Sequence, residues 1–345
     1  MKIRTLAVAA GAIALTFAGA PAMAQKTYTL KLANFTSTHS STTRWFEHAK
    51  KQLAEKSGGR LKLEIFYGSS MGPMPRHYDL ARTGVADLAF FQHGATRGRF
   101  PLVELTHAPY LFPVGAKGGV VGAKAAYDLK DKYFAPEHKG TKLLWIVFNR
   151  PSGLYDASKP IRSLADLKGR RYRAPTSIDV AMMKSLGALP IGMPATLMAE
   201  NLQKGTIDGA VTDPMGVLAF QLGGLVKYYT EMFVSSISFG LVINRKTYDD
   251  LPSDLRALID ELGSRESTIQ MATWSWGEDF PRFTKYMKDA HLTTVKLSKS
   301  ENEAMHRQGE KVMDARIAEL EKKGLPAREV YNQLKALSAK YAKEM

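Results

Sequence analysis

The chain has 345 residues, of which 45% are hydrophobic and 23% charged, and it contains no cysteine. This is the composition of a folded globular protein with one large or two ordinary domains, and it excludes disulfides, Cys-ligated metal centres and thiol nucleophiles. The 48 basic and 33 acidic residues give a net charge of +15, but no run of five or more basic residues occurs. Dispersed charge of this kind is typical of a solvated basic surface, and we expect no nucleic-acid partner.

The first 24 residues have the pattern of a secretory signal peptide. Lys2 and Arg4 precede an apolar stretch that is short for a membrane-spanning helix, and the sequence Ala-Met-Ala at 22–24 is a small-x-small cleavage site. We predict cleavage after Ala24 and export of the mature chain.

From residue 27 onwards, apolar periodicity predicts alternating strands and helices. The first block reads as strand 27–35, helix 40–56, strand 61–67, helix 77–82 and strand 85–91. A Gly- and Lys-rich stretch at 115–140 separates it from a second block. That block reads as strand 142–149, helix 163–168, strand 171–174, helix 177–186, strand 189–193, helix 195–204 and strand 208–211. This rhythm predicts an α/β protein with parallel strands covered by helices.

The remaining chain has a different pattern. Residues 228–245 look extended over 18 positions, roughly 60 Å at the usual rise, which is longer than one domain needs. We therefore predict a strand that crosses from one sheet to another. Helices are predicted at 253–262, 264–289 and 301–323, and a last helix opens at Pro326. Two α/β lobes joined by crossing strands imply a ligand cleft between them, lined by loops at strand ends.

One sequence pattern resembles an enzyme motif, but the residues around it do not fit an active site. Gly68–Gly72 matches G-x-S-x-G with Ser70 as the nucleophile, but Pro73 and Pro75 interrupt the helix that must follow, so we interpret it as a turn. The histidines have no metal-ligand spacing, and no glycine-rich phosphate-binding motif occurs. We expect no catalytic residue, no metal site and no cofactor.

Arg173 is the strongest candidate for a binding residue. It lies on a short predicted strand, just before a helix that opens at Thr176 or Ser177. Free N–H groups, the helix dipole and a guanidinium would converge there on one anion, and the planar guanidinium matches a carboxylate. We predict an anion site at this edge of the sheet.

Several motifs, weak singly, are specific in their order and spacing. They are Gly84-Val-Ala-Asp87-Leu-Ala-Phe, Gly98-Arg-Phe100-Pro101, Pro109-Tyr-Leu-Phe112, Ser163-Leu-Ala-Asp166-Leu-Lys-Gly169-Arg-Arg-Tyr-Arg173, Gly187-Ala-Leu-Pro190-Ile-Gly-Met193-Pro, Leu202-Gln-Lys-Gly205-Thr-Ile-Asp208-Gly-Ala and Leu251-Pro252-Ser-Asp254-Leu. With them the mature chain resembles the substrate-binding proteins of tripartite ATP-independent periplasmic (TRAP) transporters, of the C4-dicarboxylate-binding type.

The resemblance implies a two-lobed periplasmic binding protein of type II-like fold with a long C-terminal helical region. Lobe I is predicted at 25–148 plus about 237–275, lobe II at 149–236 plus about 276–325, and a C-terminal helix at 326–345. The protein would capture an organic acid anion in the periplasm and deliver it to the membrane permease subunits of a TRAP transporter. We expect it to be a monomer and not an enzyme.

The resemblance also assigns candidate ligand-binding residues. Arg173 matches the family's carboxylate-binding arginine, and Arg150 matches a second arginine by spacing. Asp213 is a departure, because family members often have an asparagine near the end of that strand, and an acid there needs a cation or a ligand donor as partner. Further candidates lie at strand ends: Phe35, Gln92, His93, Asn149 and Thr212.

Other functions remain open on the sequence. A ligand-sensing subunit of a signalling system would use the same cleft. A periplasmic serine hydrolase would use Ser70 or His93, and a basic polymer-binding protein would bind weakly and lose its ligand with salt. Aromatic or branched monocarboxylates, 2-oxo acids and dicarboxylates all stay possible as ligands, with a slight preference for an apolar body because Ala195 leaves room.

Overall fold

The structure, a computed structural model, describes residues 26–38, 40–115, 117–277 and 280–345, and the predicted signal peptide lies outside them. Within these ranges the strands are β1 (Tyr28–Ala33), β2 (Leu61–Phe66), β3 (Leu88–Gln92), β4 (Thr141–Phe148), β5 (Gly153–Asp156), β6 (Arg171–Arg173), β7 (Leu189–Ile191), β8 (Gly209–Thr212), β9 (Tyr228–Glu231), β10 (Ser238–Asn244) and β11 (Thr293–Lys296). The helices are α1 (Ser41–Lys56), α2 (His77–Arg82), α3 (Pro101–Glu104), α4 (Gly118–Leu129), α5 (Ser177–Ser185), α6 (Met198–Gln203), α7 (Pro214–Ala219), α8 (Arg245–Asp250), α9 (Ser253–Leu262), α10 (Arg265–Gly277), α11 (Phe280–Asp289), α12 (Lys299–Glu321) and α13 (Ala327–Lys343).

The strands form two sheets, one in each lobe. The first sheet has the order β2-β1-β3-β10-β4, and the second has the order β11-β9-β5-β8-β6-β7. In the first sheet β1 is parallel to β2 and β3, whereas β10 is antiparallel to β3 and β4. In the second sheet β6 is parallel to β7 and β8, whereas β5 is antiparallel to β8 and β9. The α/β class is confirmed, with each sheet mixed rather than wholly parallel.

Helix α1 shows how local sequence and packing agree. Ser40 is its N-cap, and the Ser40 side chain accepts a hydrogen bond from Thr42 N. Its buried apolar residues have helical spacing and face the first sheet: Trp45, Phe46, Ala49 and Leu53.

Alternate residues of the central strand β3 enter cores on opposite faces of the first sheet. Phe90 packs with Trp45 and Trp145. The two tryptophan rings meet edge to face, with their centroids 5.7 Å apart. Phe91 packs with Tyr78 on the other face, at 5.2 Å. Burial of side chains of this size stabilises the fold by about 2–3 kcal/mol each. The loop that follows β3 is therefore attached to a well-packed strand.

Two chain segments cross between the sheets and bond to each other. Residues 149–152 connect β4 to β5, and residues 232–237 connect β9 to β10. Asn149 N donates to Ile237 O at 3.2 Å, and Ile237 N donates to Asn149 Oδ1 at 2.6 Å. Ser152 N donates to Ser235 O at 2.6 Å. The long extended segment predicted at 228–245 thus contains a sheet-to-sheet crossing, as expected.

The long helix α12 packs against both lobes. Met305, near its start, belongs to a core of the second lobe, whereas Met313 and Ile317 belong to a core of the first. Arg316 of the same helix forms an ion pair with the buried Glu104 at 2.5 Å. α12 is therefore a third connection between the lobes, and α13 packs beside it on the first lobe.

The Gly- and Lys-rich stretch was wrongly predicted to be only a separator, since it contains α4. Its glycines lower helix propensity but allow close packing. A β-carbon at Gly119 would lie 2.8 Å from Phe148 O, and one at Gly122 would lie 2.8 Å from Phe148 Cδ2. Strands β5 and β11 were also missed. None of the helices among the described residues is long and apolar enough to cross a bilayer.

Candidate functional site

A cleft of about 280 Å³ has walls from both lobes. The lining residues of the first lobe end or follow β3 or lie in the turn before α2, and those of the second lobe end or follow β6 or follow β7. This is the carboxyl edge of parallel strands, where ligands of open α/β sheets bind. The lining residues are Met74, Pro75, Gln92, Gly94, Ala95, Arg97, Arg173, Pro175, Gly192, Met193 and Pro194.

Arg173, predicted as the main binding residue, ends β6 and lines this cleft. Only 3% of its surface is exposed. Its Nε donates to Met193 O at 3.2 Å and its Nη1 donates to Val211 O at 3.0 Å, so the plane of the guanidinium is fixed. Burial lowers the pKa of Arg173 to about 10, while the charges of Asp179 and Asp213 oppose that shift. The residue is therefore still a cation at neutral pH.

The helix after Arg173 is capped by its own side chains. Thr176 Oγ1 accepts from Asp179 N at 3.1 Å, and an Asp179 carboxylate oxygen accepts from Thr176 N at the same distance. These two N–H groups are therefore not the free donors that the sequence predicted. Asp179 also accepts from Ser235 Oγ at 2.6 Å, which ties the helix to the crossing segment.

Asn149 and Arg150 lie where the first crossing segment leaves β4. Both are buried, and Arg150 is 5% exposed. Desolvation lowers the pKa of Arg150, and the charge of Asp213 opposes that change. The side-chain oxygen of Asn149, Oδ1, accepts a hydrogen bond from Ile237 N. The structure thus places Arg150 near Asp213, but neither Arg150 nor Asn149 is among the residues that line the 280 Å³ cleft.

Asp213 follows β8 and is 7% exposed. Its Oδ1 accepts from Gly216 N at 3.2 Å and so caps α7. Burial raises the pKa of Asp213, and the neighbouring Asn149 side chain opposes that change. Asn149 Nδ2 and Asp213 Oδ2 are both buried, but neither atom makes a hydrogen bond. Asp213 acts electrostatically on both Arg150 and Arg173. The preceding Thr212 is the buried end of β8.

Phe35 and Gln92 lie on one face of the first sheet. Phe35 is partly exposed and stacks on Phe90, with centroids 5.0 Å apart and planes at 11°, and on Phe239 at 6.0 Å. Phe239 pairs directly with Gln92 across β10 and β3, so the two side chains share a face. Met215 of the second lobe packs against the same cluster. Phe35, Phe90 and Phe239, here termed the phenylalanine wall, thus adjoin the cleft residue Gln92.

His93 does not line the cleft. It comes directly after Gln92, and its ring lies instead in the core of the first lobe, 3.1 Å from His138 between Nε2 atoms. Burial and the neighbouring His138 and His107 lower its pKa well below the usual range. His93 is therefore a neutral structural residue at neutral pH, and its predicted place in the ligand site is not supported by its position.

The enzyme-like motif is a surface turn. Ser70 is exposed and its N–H donates to Tyr67 O at 3.1 Å, while Ser69 has a positive φ of 63°. The following turn begins at Met74, so no helix N-terminus faces Ser70. Among the described residues no cluster of three or more His, Asp or Glu is arranged to hold a metal ion.

Sequence reasoning missed Arg97 and Gly192. Arg97 lies in a polar, glycine-containing loop of the first lobe, and Gly192 follows β7 of the second. Both line the cleft. The Gly98-Arg-Phe-Pro motif marks the loop, but no pattern in the sequence indicates that Arg97 reaches the other lobe.

Residues 32–320 match the family of bacterial extracellular solute-binding proteins, family 7 (DctP). The chain belongs to this family, whose members are substrate-binding rather than enzymatic components of TRAP transport. Such proteins act in the periplasm with small organic acids and membrane components.

Solved structures and a named relative agree with this assignment. A TRAP solute-binding protein from Rhodoferax ferrireducens, in complex with copurified benzoate, has a TM-score of 0.85 and 26% identity, over 92% of this chain and 99% of that one. A marine metagenome TRAP protein specific for aromatic acid ligands, bound to 3-hydroxybenzoate, has a TM-score of 0.86 and 27% identity over the same shares. The 2,3-diketo-L-gulonate-binding periplasmic protein YiaO of Escherichia coli is 28% identical over 301 residues, 86% of this chain and 88% of that one.

Proposed function

We propose that this protein captures an aromatic carboxylate in the periplasm and delivers it to the permease of a TRAP transporter. The observation that carries the proposal is Arg173, a buried cation whose guanidinium is fixed by Met193 O and Val211 O at the wall of an interlobe cleft. A buried, oriented guanidinium that lines a cavity is suited to bind a carboxylate through charge-assisted hydrogen bonds.

The phenylalanine wall supports an aromatic body for the ligand. Phe35 is only partly buried and stacks on Phe239, on the face that also carries Gln92. An aromatic ring stacked there would gain roughly 0.5–1.5 kcal/mol beyond the burial of its area. Structural relatives in complex with benzoate and 3-hydroxybenzoate have the same overall fold at 26–27% identity.

Capture would follow from lobe closure. The two crossing segments and α12 connect the lobes, while Gln92 and Arg173 approach the ligand from opposite sides. A ligand that contacts both walls favours the closed arrangement only because its interactions are better there. The permease would then recognise the closed protein.

The test is ligand binding after bound material has been removed by unfolding and refolding. We expect benzoate or 3-hydroxybenzoate to raise the melting temperature, and calorimetry to give a dissociation constant that Arg173→Ala weakens at least about 100-fold. Arg171→Ala is the matched control, since Arg171 lies two residues earlier on the same strand and pairs with Asp208 at 2.6 Å instead. Equal binding by Arg173→Ala and wild type would contradict the proposed carboxylate site.

A further inference from the structure

Arg97 extends from the first lobe to the second at the cleft. Its guanidinium lies over Gly192. If Gly192 carried a β-carbon, the three atoms nearest to it would all belong to Arg97, and Arg97 Cζ would be 2.7 Å away. Gly192 follows β7, and Arg97 follows the turn after β3, so this contact joins walls of opposite lobes. Only a residue without a side chain leaves room for Arg97 here.

Arg97 and Arg173 place two positive charges at the wall of the same cleft. Burial lowers the pKa of Arg173, and the charge of Arg97 adds to that effect. Arg97 forms no ion pair with any residue in the described ranges, whereas Arg99, in the same loop, bonds to Asp79 Oδ1 at 2.9 Å. An anion between Arg97 and Arg173 would replace repulsion between two cations with two attractive contacts.

We propose that Arg97 is a second carboxylate-binding residue, which holds the ligand carboxylate against Arg173 and so links ligand charge to lobe closure. This inference rests on the proposed function. Arg173 binds from the second lobe and Arg97 from the first. Both arginines can therefore contact the same carboxylate only in the arrangement in which Arg97 lies over Gly192. Ligand binding therefore favours the arrangement in which the lobes meet at this contact.

Two variants test the role of Arg97 by independent means. Arg97→Gln removes the charge, while Gly192→Ala keeps it and places a methyl group where the guanidinium lies. Gly192 does not have a positive φ, and the displaced atoms are the flexible end of one side chain, so alanine is compatible with the fold. We expect each variant to raise the dissociation constant for 3-hydroxybenzoate roughly 10- to 100-fold. The double variant should bind no more weakly than Arg97→Gln alone.

Arg99→Ala is the matched control, because it removes an arginine from the same loop without touching the cleft. It should bind within twofold of wild type, and melting curves of the ligand-free variants check their folding. A wild-type protein that binds neither benzoate nor 3-hydroxybenzoate would contradict the proposed function itself. A wild type that binds, with Arg97→Gln and Gly192→Ala within twofold of it, would overturn the role of Arg97 alone. Additive losses in the double variant would also overturn it, because Gly192 would then act independently of Arg97.

Discussion

The charge of the buried Asp213 carboxylate, directly after β8, opposes the desolvation that lowers the pKa of the Arg150 guanidinium in the first crossing segment. Asp213 acts in the same direction on Arg173. Asp213 therefore serves as a counter-charge to the two arginines. Its charge stabilises both cations, and it also reduces the positive potential around them.

Asp213→Asn should therefore strengthen anion binding. Asparagine can keep the Oδ1 that accepts from Gly216 N, so the cap of α7 is retained while a buried negative charge is lost. We expect affinity for benzoate to rise about tenfold, and affinity for benzene-1,3-dicarboxylate to rise further. Calorimetry with both ligands checks this. Weaker binding of 3-hydroxybenzoate by the variant would instead identify Asp213 as an acceptor for the ligand hydroxyl.

Phe35 should determine the preference for aromatic over aliphatic acids. Phe35→Leu keeps an apolar side chain but removes a ring that stacks on Phe90 at 5.0 Å. We expect the ratio of affinities for benzoate and cyclohexanecarboxylate to fall about 3- to 10-fold, because only the aromatic ligand loses a stacking partner. Competition titrations of the two acids measure that ratio directly. An unchanged ratio would place the ligand away from the phenylalanine wall.

The sequence predicted the regular parts of the fold because their signals are local. Strand alternation and helical spacing depend on neighbours in the chain, and the helix predicted at 40–56 is observed as α1 at Ser41–Lys56. Helix α4 was missed because it contains glycines, which disfavour a helix in the sequence. These glycines allow close contact with Phe148, a residue distant in sequence. Tertiary packing there overrides intrinsic propensity.

The candidate site was predictable only in part for the same reason. The sequence could indicate Arg173, which lines the cleft, because its place before a helix is a local feature. The position of Arg97 depends instead on the approach of Gly192 from the other lobe. Gln92 and His93 have adjacent positions at a strand end, yet one lines the cleft and the other lies in the core with His138. The direction of each side chain decides which of the two lines the cleft, and that direction is not a local feature of the sequence.

The ion pair between α12 and the first lobe should be important for stability. Glu104 is 92% buried as a side chain and bonds to Arg316, so Glu104→Gln leaves a largely buried cation without its main partner. We expect a loss of about 3 kcal/mol in the free energy of unfolding. Glu319 bonds to the same arginine at 2.6 Å but is half exposed, and Glu319→Gln should cost less than about 1 kcal/mol. Urea unfolding of the two variants makes the comparison, and equal losses would contradict it.

Buried histidines should make the protein less stable in acid. Burial lowers the pKa of His107 to about 3 and that of His138 to about 4, from an ordinary value of 6.5. Below pH 6.5 the unfolded chain therefore binds protons that the folded chain does not, and their contribution to stability falls as the pH drops towards 4. Glu137 acts oppositely, because burial raises its pKa to about 7 and its protonation between pH 7 and 4.5 favours the folded state.

Single variants separate these opposing contributions. His107→Gln should reduce the slope of unfolding free energy against pH by about 1.4 kcal/mol per pH unit between pH 6 and 4. Glu137→Gln should increase the slope by a similar amount between pH 6.5 and 5, since it removes a group that is stabilised by protonation. Urea titrations at half-unit pH steps give both slopes. If His107→Gln leaves the slope unchanged, His107 is protonated in the folded protein and its burial does not exclude the charge.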